Sequence, residues 1–192
     1  MNNLARKIDK KYSYADYLTW NDEGRWEIID GVAYSLASPS DIHQDISREL
    51  LTEFNNYLRG KKCRVYQAPF DVSLTSDKLE GDDKIYDVVQ PDIIIVCDKE
   101  KISHKGCKGA PDIVIEILSP STASKDCLRK RILYEKNKIN QYWIIDPDEK
   151  EVFILKLTEH GLYGHPERYS KEDKIKVENF EGLEIDLKLI FS

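Results

Sequence analysis

The sequence predicts a mixed α/β fold, an α+β arrangement in which one sheet of parallel and antiparallel strands is flanked by helices. A hairpin precedes this core and a β extension follows it. Three observations carry that reading. Dense Ile and Val runs in QPDIIIVCD (90–98), PDIVIEILSPST (111–122) and QYWIIDP (141–147) look like central strands buried on both faces. Ile46, Leu50, Phe54 and Leu58 form a stripe at i, i+4 spacing, the mark of a helix packed on a core. The stretch from residues 112–118 through a helical segment to 141–146 is long enough for a strand–helix–strand crossover, which is right-handed and parallel as a rule.

Taken in order, SYADYLTW (13–20) begins with Ser13 as an N-cap and has apolar residues at helical spacing, so a short helix is expected. WEIIDGVAYSL alternates around Asp30-Gly31, a strong two-residue hairpin signal, and Glu27 lies on its first arm. Ser40 caps the next helix, Asp41 sits favourably at the positive end of its dipole, and Gly60 ends it. His43 falls in the first turn. CRVYQAPFDVSL reads as a strand, and SDKLEGDDKIYD as a polar, mobile loop without apolar periodicity. KEKISHKGCKGA connects the two acidic strands. SPSTASKDCLRKRILYEKNKIN is loop then helix, with Ser119 and Ser121 as capping residues. EVFILKL pairs back on QYWIIDP, and short strands and turns complete the chain. The three strands after the long helix lack helical connections and are expected to form an antiparallel meander.

At 192 residues and 41% hydrophobic content the chain suits one well-buried domain, residues 1–192. Its 33% charged residues are mixed in sign, as on a folded, water-exposed surface. No apolar run approaches the roughly twenty residues of a membrane span. The start, MNNLARKIDKKYSYADYL, lacks the apolar core of a secretion signal, so a cytoplasmic location is expected. Cysteines 63, 97, 107 and 127 show no CxxC pairing and are expected to be reduced, with Cys97 a small buried thiol in a strand. A net charge of −6 argues against coating nucleic acid through bulk electrostatics, but allows a local basic patch that grips a few phosphates.

The chemistry lies in the acids set into apolar strands. Asp92, Asp112 and Glu116 sit in or at the mouths of the Ile/Val runs. A buried ionised carboxylate costs several kcal/mol unless compensated, and two of them about 5 Å apart repel by roughly 3 kcal/mol at an effective dielectric near 20. A divalent cation resolves both problems. Asp112 and Glu116 share a strand face, and Asp92 reaches Glu116 if the two strands are neighbours. Paired carboxylates supply the hard oxygen ligands that Mg²⁺ prefers. A lysine to orient water or stabilise charge on a phosphate is missing two positions after Glu116, where Leu118 stands. Lys130 on the following helix shares a face with Asp126 and Tyr134 and can pack back toward the sheet. Plainer readings exist for each residue: Asp92 starting a strand after Pro91, Asp112 as a decoy or a third ligand, Lys130 as the i+4 partner of Asp126, Glu27 on a hairpin surface and His43 in a capping turn. Tyr134 then packs beneath the lysine.

The joint pattern EIIDGVAY, PS with His43 three residues after Ser40, QPDIIIV, APDIVIEILSPST, Asp126…Lys130…Tyr134 and QYWIIDP resembles the Uma-type restriction endonuclease family of the PD-(D/E)xK nuclease superfamily, from about residue 12 to 157. The resemblance implies a restriction-endonuclease-like core of helix, three strands, helix and strand. It implies that Asp92 and Glu116 bind Mg²⁺ or Mn²⁺, that Lys130 is the catalytic lysine relocated onto the helix, and that Glu27 and His43 are matched site positions. The implied function is metal-dependent hydrolysis of DNA phosphodiesters by a homodimer. Two other classes stay open: a catalytically weak nucleic-acid-binding or scaffold protein on the same fold, and a hydrolase of another phosphoester.

Overall fold

Side-chain alternation along a few short strands builds two faces at once, and both are covered. The computed structural model describes residues 10–21, 24–77, 79–119 and 123–192, the side chains of residues 123–126 excepted. The chain begins with α1 (Tyr14–Tyr17), whose N-cap Ser13 and third residue Asp16 form a reciprocal capping box. The hairpin of β1 (Trp26–Ile29) and β2 (Val32–Ser35) turns at Asp30-Gly31, both with positive φ (50° and 77°), as a two-residue type I′ turn requires. Helix α2 (Asp41–Leu58) is capped by Ser40 and buries Ile46, Leu50, Phe54 and Leu58, the expected stripe.

Next come β3 (Arg64–Gln67), β4 (Val72–Ser73), β5 (Val88–Val89), β6 (Ile93–Val96), β7 (Ile102–Ser103), β8 (Gly106–Lys108) and β9 (Ile113–Ile117). Helix α3 (Ala123–Lys136) leads to β10 (Gln141–Asp146), β11 (Glu151–Lys156), β12 (Glu167–Ser170), β13 (Lys174–Lys176), β14 (Glu184–Asp186) and α4 (Leu187–Ile190). The main sheet runs β12-β11-β10-β9-β6-β3. Within it β3, β6 and β9 are the expected antiparallel meander, β9 and β10 are parallel across the α3 crossover, and β11 returns as the hairpin partner of β10. A second sheet, β2-β1-β5-β4-β8-β7, carries the N-terminal hairpin.

Period-two alternation assigns the faces. Ile93, Ile95, Ile113, Ile115, Ile117, Trp143 and Ile145 pack under α2 and the C-terminal segment from Ile175 to Phe191. Ile94, Val96, Val114, Tyr142 and Ile144 face the other way, against Leu133 and Tyr134 of α3 and the second sheet. Glu116 belongs by parity to this second face. Among the described residues no helix is long and apolar enough to cross a membrane.

Four expectations are corrected. Cys63 and Cys97 form a disulfide rather than carrying free thiols. The register Arg64↔Val96 sets these residues opposite each other one step beyond the pair, a juxtaposition that a separation of 34 residues conceals. Cys107 and Cys127 lie outside the disulfide, and burial pushes the Cys107 thiol up to about 12. The single strand expected over CRVYQAPFDVSL is two: β3 joins the main sheet and β4 the second, with a cis Ala68–Pro69 bond between them. The polar loop contains a 3₁₀ turn at Asp82–Lys84 and seats Ile85, 1% exposed, beside Tyr14, Ile28 and Val88. KEKISHKGCKGA folds into the β7–β8 hairpin, whose strands are too short to leave a period. Capping by Ser121 lies outside the described residues.

Candidate active site

One residue beyond the last β6–β9 pair, Ile93↔Ile115, Asp92 and Glu116 stand opposite each other at the end of the main sheet. They form the floor of a cleft of about 260 Å³, which Glu27, His43 and Lys130 also line. Five residues from β1, α2, the turn before β6, β9 and α3 therefore converge, and these are the five that sequence reasoning selected.

Lys130 is the hub. Its Nζ lies 3.0 Å from Glu116 Oε1 and 3.0 Å from Glu27 Oε1, and the side chain is almost wholly buried. Helical spacing puts Lys130 and Tyr134 on one face of α3. Tyr134 reaches past the lysine and donates its hydroxyl to Glu116 Oε1 at 2.6 Å, so it does more than pack beneath Lys130. Glu27, 1% exposed, also accepts the Gln90 backbone N–H at 2.9 Å. The side chain of Asp126 lies outside the described residues.

Asp92 is held separately. Its Oδ2 accepts the Ile117 N–H (2.8 Å) and faces His43 Nε2 at 3.1 Å. His43 is placed by the start of α2, where its N–H is capped by Ser40 Oγ (3.2 Å). His43 Nδ1 is buried and makes no hydrogen bond among the described residues.

Burial is the main influence on Glu116. It pushes the carboxyl up to about 8, against the opposing pull of Lys130, and the negative charges of Asp92 and Glu27 add to the rise. Glu116 therefore holds a proton more readily than an ordinary carboxyl. Burial, then the negative charge of Glu116, drives the Tyr134 hydroxyl well above its usual range, so it serves as a donor.

A cation-binding role fits Asp92 and Glu116 by the chemistry of the donors. Each engages one carboxylate oxygen with the protein, Oδ2 and Oε1 respectively, and neither Asp92 Oδ1 nor Glu116 Oε2 has a hydrogen-bond partner among the described residues. No group of three or more His, Cys, Asp or Glu side chains among the described residues is arranged to enclose a metal. That donor count suits Mg²⁺, which is commonly held by one or two carboxylates and completed by water and phosphate. Asp112 is not part of the site. Its Oδ2 accepts the Cys97 N–H at 2.7 Å and ties the start of β9 to the end of β6.

Sequence reasoning passed over Arg25, Gln90 and Tyr34, which also line the cleft. Buried Gln90 accepts Arg25 Nε at 3.0 Å and donates to Tyr17 and Asp71. Tyr34 pairs with Glu27 across the hairpin, and the Arg129 guanidinium lies 4.3 Å from its ring centroid. The available signal was parity: Arg25 and Glu27 are two residues apart, and a residue directly opposite shares their face.

Residues 14–188 match the Uma2 family, described as "Putative restriction endonuclease". An uncharacterized protein, slr1290, of Synechocystis sp. is 27% identical over 154 residues, covering 79% of this chain and 77% of its own. In fold, the chain is similar to the crystal structure of a "putative nuclease belonging to DUF820" from Anabaena variabilis. The TM-score is 0.74 at 22% identity, over 93% of this chain and 97% of that one.

Proposed function

The chain belongs to the Uma2 family, and from that premise we propose that it is a metal-dependent endonuclease that hydrolyses DNA phosphodiester bonds. One observation carries the reading: Lys130 Nζ sits 3.0 Å from both Glu27 and Glu116, in a cleft whose floor is completed by Asp92. Lysine between acids, next to two carboxylates with free oxygens, fits hydrolysis of a phosphate ester better than a purely structural cluster. Asp92 and Glu116 would hold Mg²⁺ or Mn²⁺, which when bound polarises a phosphoryl oxygen and makes nearby water easier to deprotonate.

The remaining work falls to the chain's own groups. The Lys130 ammonium orients the attacking water and offsets negative charge growing on the phosphate. Water oxygen bonds to phosphorus as the ester bond to the leaving oxygen breaks; the water's proton passes to solvent, and the leaving oxygen takes up a proton from solvent to leave as a hydroxyl. Glu27 anchors Lys130, Tyr134 fixes the Glu116 rotamer, and His43 holds Asp92; these act as positioning residues. A symmetric pair of chains would supply the two sites needed to cut both strands of a duplex.

The test is cleavage of labelled duplex DNA by purified protein with Mg²⁺, Mn²⁺ or EDTA, comparing wild type with Asp92→Asn, Glu116→Gln and Lys130→Met. Metal-dependent cleavage should fall at least about a hundredfold in each, as for loss of a group acting in the transition state. Undiminished cleavage by Asp92→Asn and Glu116→Gln would sink the assignment. A second reading, a catalytically silent nucleic-acid-binding protein, is favoured by the net charge of −6 and by Leu118 standing where a lysine two positions after Glu116 is expected. It predicts DNA binding in EDTA and no cleavage with any metal.

A further inference from the structure

The geometry points to Arg25 as a phosphate-binding residue that seats the nucleic-acid strand beside the reacting phosphate. The inference rests on the nuclease reading, because it names the part of the substrate this residue grips. The cleft floor is acidic, with Glu27, Asp92 and Glu116 together, and the whole chain carries a net charge of −6. A polyanionic strand approaching such a floor is repelled unless cations on the walls oppose it. Among the described residues lining the cleft, the Lys and Arg side chains are Arg25 and Lys130. Lys130 lies at the reacting centre between Glu27 and Glu116, whose charges offset its own, and so does not serve the flanking strand.

Arg25 is placed differently. It is half-buried, and among the described residues it forms no ion pair; its Nε is bound to the neutral amide of Gln90 at 3.0 Å. That contact leaves both Nη groups for a ligand, and a guanidinium presents them in a fork that matches two phosphate oxygens. Gln90 is held because its N–H and its whole side-chain amide are used. Its N–H binds Glu27, its amide N–H groups bind Tyr17 and Asp71, and its amide oxygen accepts from Arg25. The guanidinium is thus oriented before substrate arrives, which limits the ordering cost of binding.

Position completes the argument. The hairpin ladder extends past β1 through Leu36 N–H to Arg25 O (2.8 Å), so Arg25 is two residues beyond Glu27 on the same wall. Two strand residues span about 7 Å. Arg25 therefore stands away from the carboxylates, over a phosphate flanking the one under attack. Contacts of this kind set register on the strand and carry no base specificity.

Binding of a fluorescein-labelled DNA duplex is measured by anisotropy in EDTA at about 50 to 200 mM salt, for wild type, Arg25→Ala and Arg25→Lys, with thermal unfolding of each. Arg25→Ala should bind about tenfold more weakly, with the log–log salt slope reduced by about 0.9, the value of one phosphate contact. Arg25→Lys should regain the slope and only part of the affinity, since an ammonium is a point charge. In cleavage, KM should rise while kcat changes little. Unchanged affinity and slope in Arg25→Ala would overturn the inference and leave the nuclease reading intact. If wild type binds no nucleic acid even with Mg²⁺, both fall. An Arg25-dependent slope without cleavage by any metal supports the contact and removes the catalytic reading.

Discussion

Replacing Glu116 by glutamine should remove this residue's contribution to the pH dependence of stability. The folded protein holds the Glu116 proton until about pH 8, because burial outweighs the attraction of Lys130, whereas the ordinary value is 4.5. Stability from this group is therefore fully present below the unfolded value and is lost as pH rises toward 8. Each unit of retained protonation is worth about 1.4 kcal/mol, so wild type should lose roughly 4 kcal/mol from this site between pH 5 and pH 8. Glu116→Gln keeps an acceptor for Tyr134 and leaves Lys130 paired with Glu27, but has no proton to lose. The assay is urea unfolding in EDTA across that range, followed by the fluorescence of buried Trp143. The stability difference between the two proteins should widen in favour of the variant as pH rises. Addition of Mg²⁺ at pH 8 should stabilise wild type and not the variant, through mass action on the folded state. Parallel stability profiles from pH 5 to pH 8 would refute the reasoning, because Glu116 would then be ionised in the fold as readily as in the unfolded chain.

Lys130→Met should destabilise the apo protein by about 3–5 kcal/mol at pH 8, since two buried carboxylates lose their common cation; urea midpoints should recover in part at pH 5, and a loss below about 1 kcal/mol would mean the pair is effectively solvated. Phe54→Ala should cost about 3–5 kcal/mol with an unchanged m-value, because Phe54 is fully buried and packs edge-on to Trp143 at 5.8 Å. Gly31→Ala should lower stability by about 1–2 kcal/mol in thermal unfolding: φ is +77°, and an added Cβ would lie 2.7 Å from Lys11 Cβ.

Much of the core was legible because its determinants are local. The α2 stripe, the Asp30-Gly31 turn, the Ser13 and Ser40 caps and the Ile/Val strands are settled by periods and turn chemistry within about twenty residues of chain. The β7–β8 hairpin escaped because two- and three-residue strands carry no period, and the seat of Ile85 because it follows a 3₁₀ turn of only three residues. Asp112 and Glu116 share a face of one strand and looked alike, yet one ties β9 to β6 while the other lies against α3.

From the sequence alone came the mixed sheet, its meander and crossover, and the expectation that Glu27, His43, Asp92, Glu116 and Lys130 share a site. Only the tertiary structure decided how they meet: Lys130 bridging two acids, His43 on Asp92, and Gln90 orienting Arg25 at the rim. It alone brought Cys63 opposite Cys97. The physical reason is the same in each case. Patterns of hydrophobicity and turn residues act between near neighbours in the chain, whereas burial, charge coupling and cross-strand register depend on which distant segments the fold brings within a few ångströms.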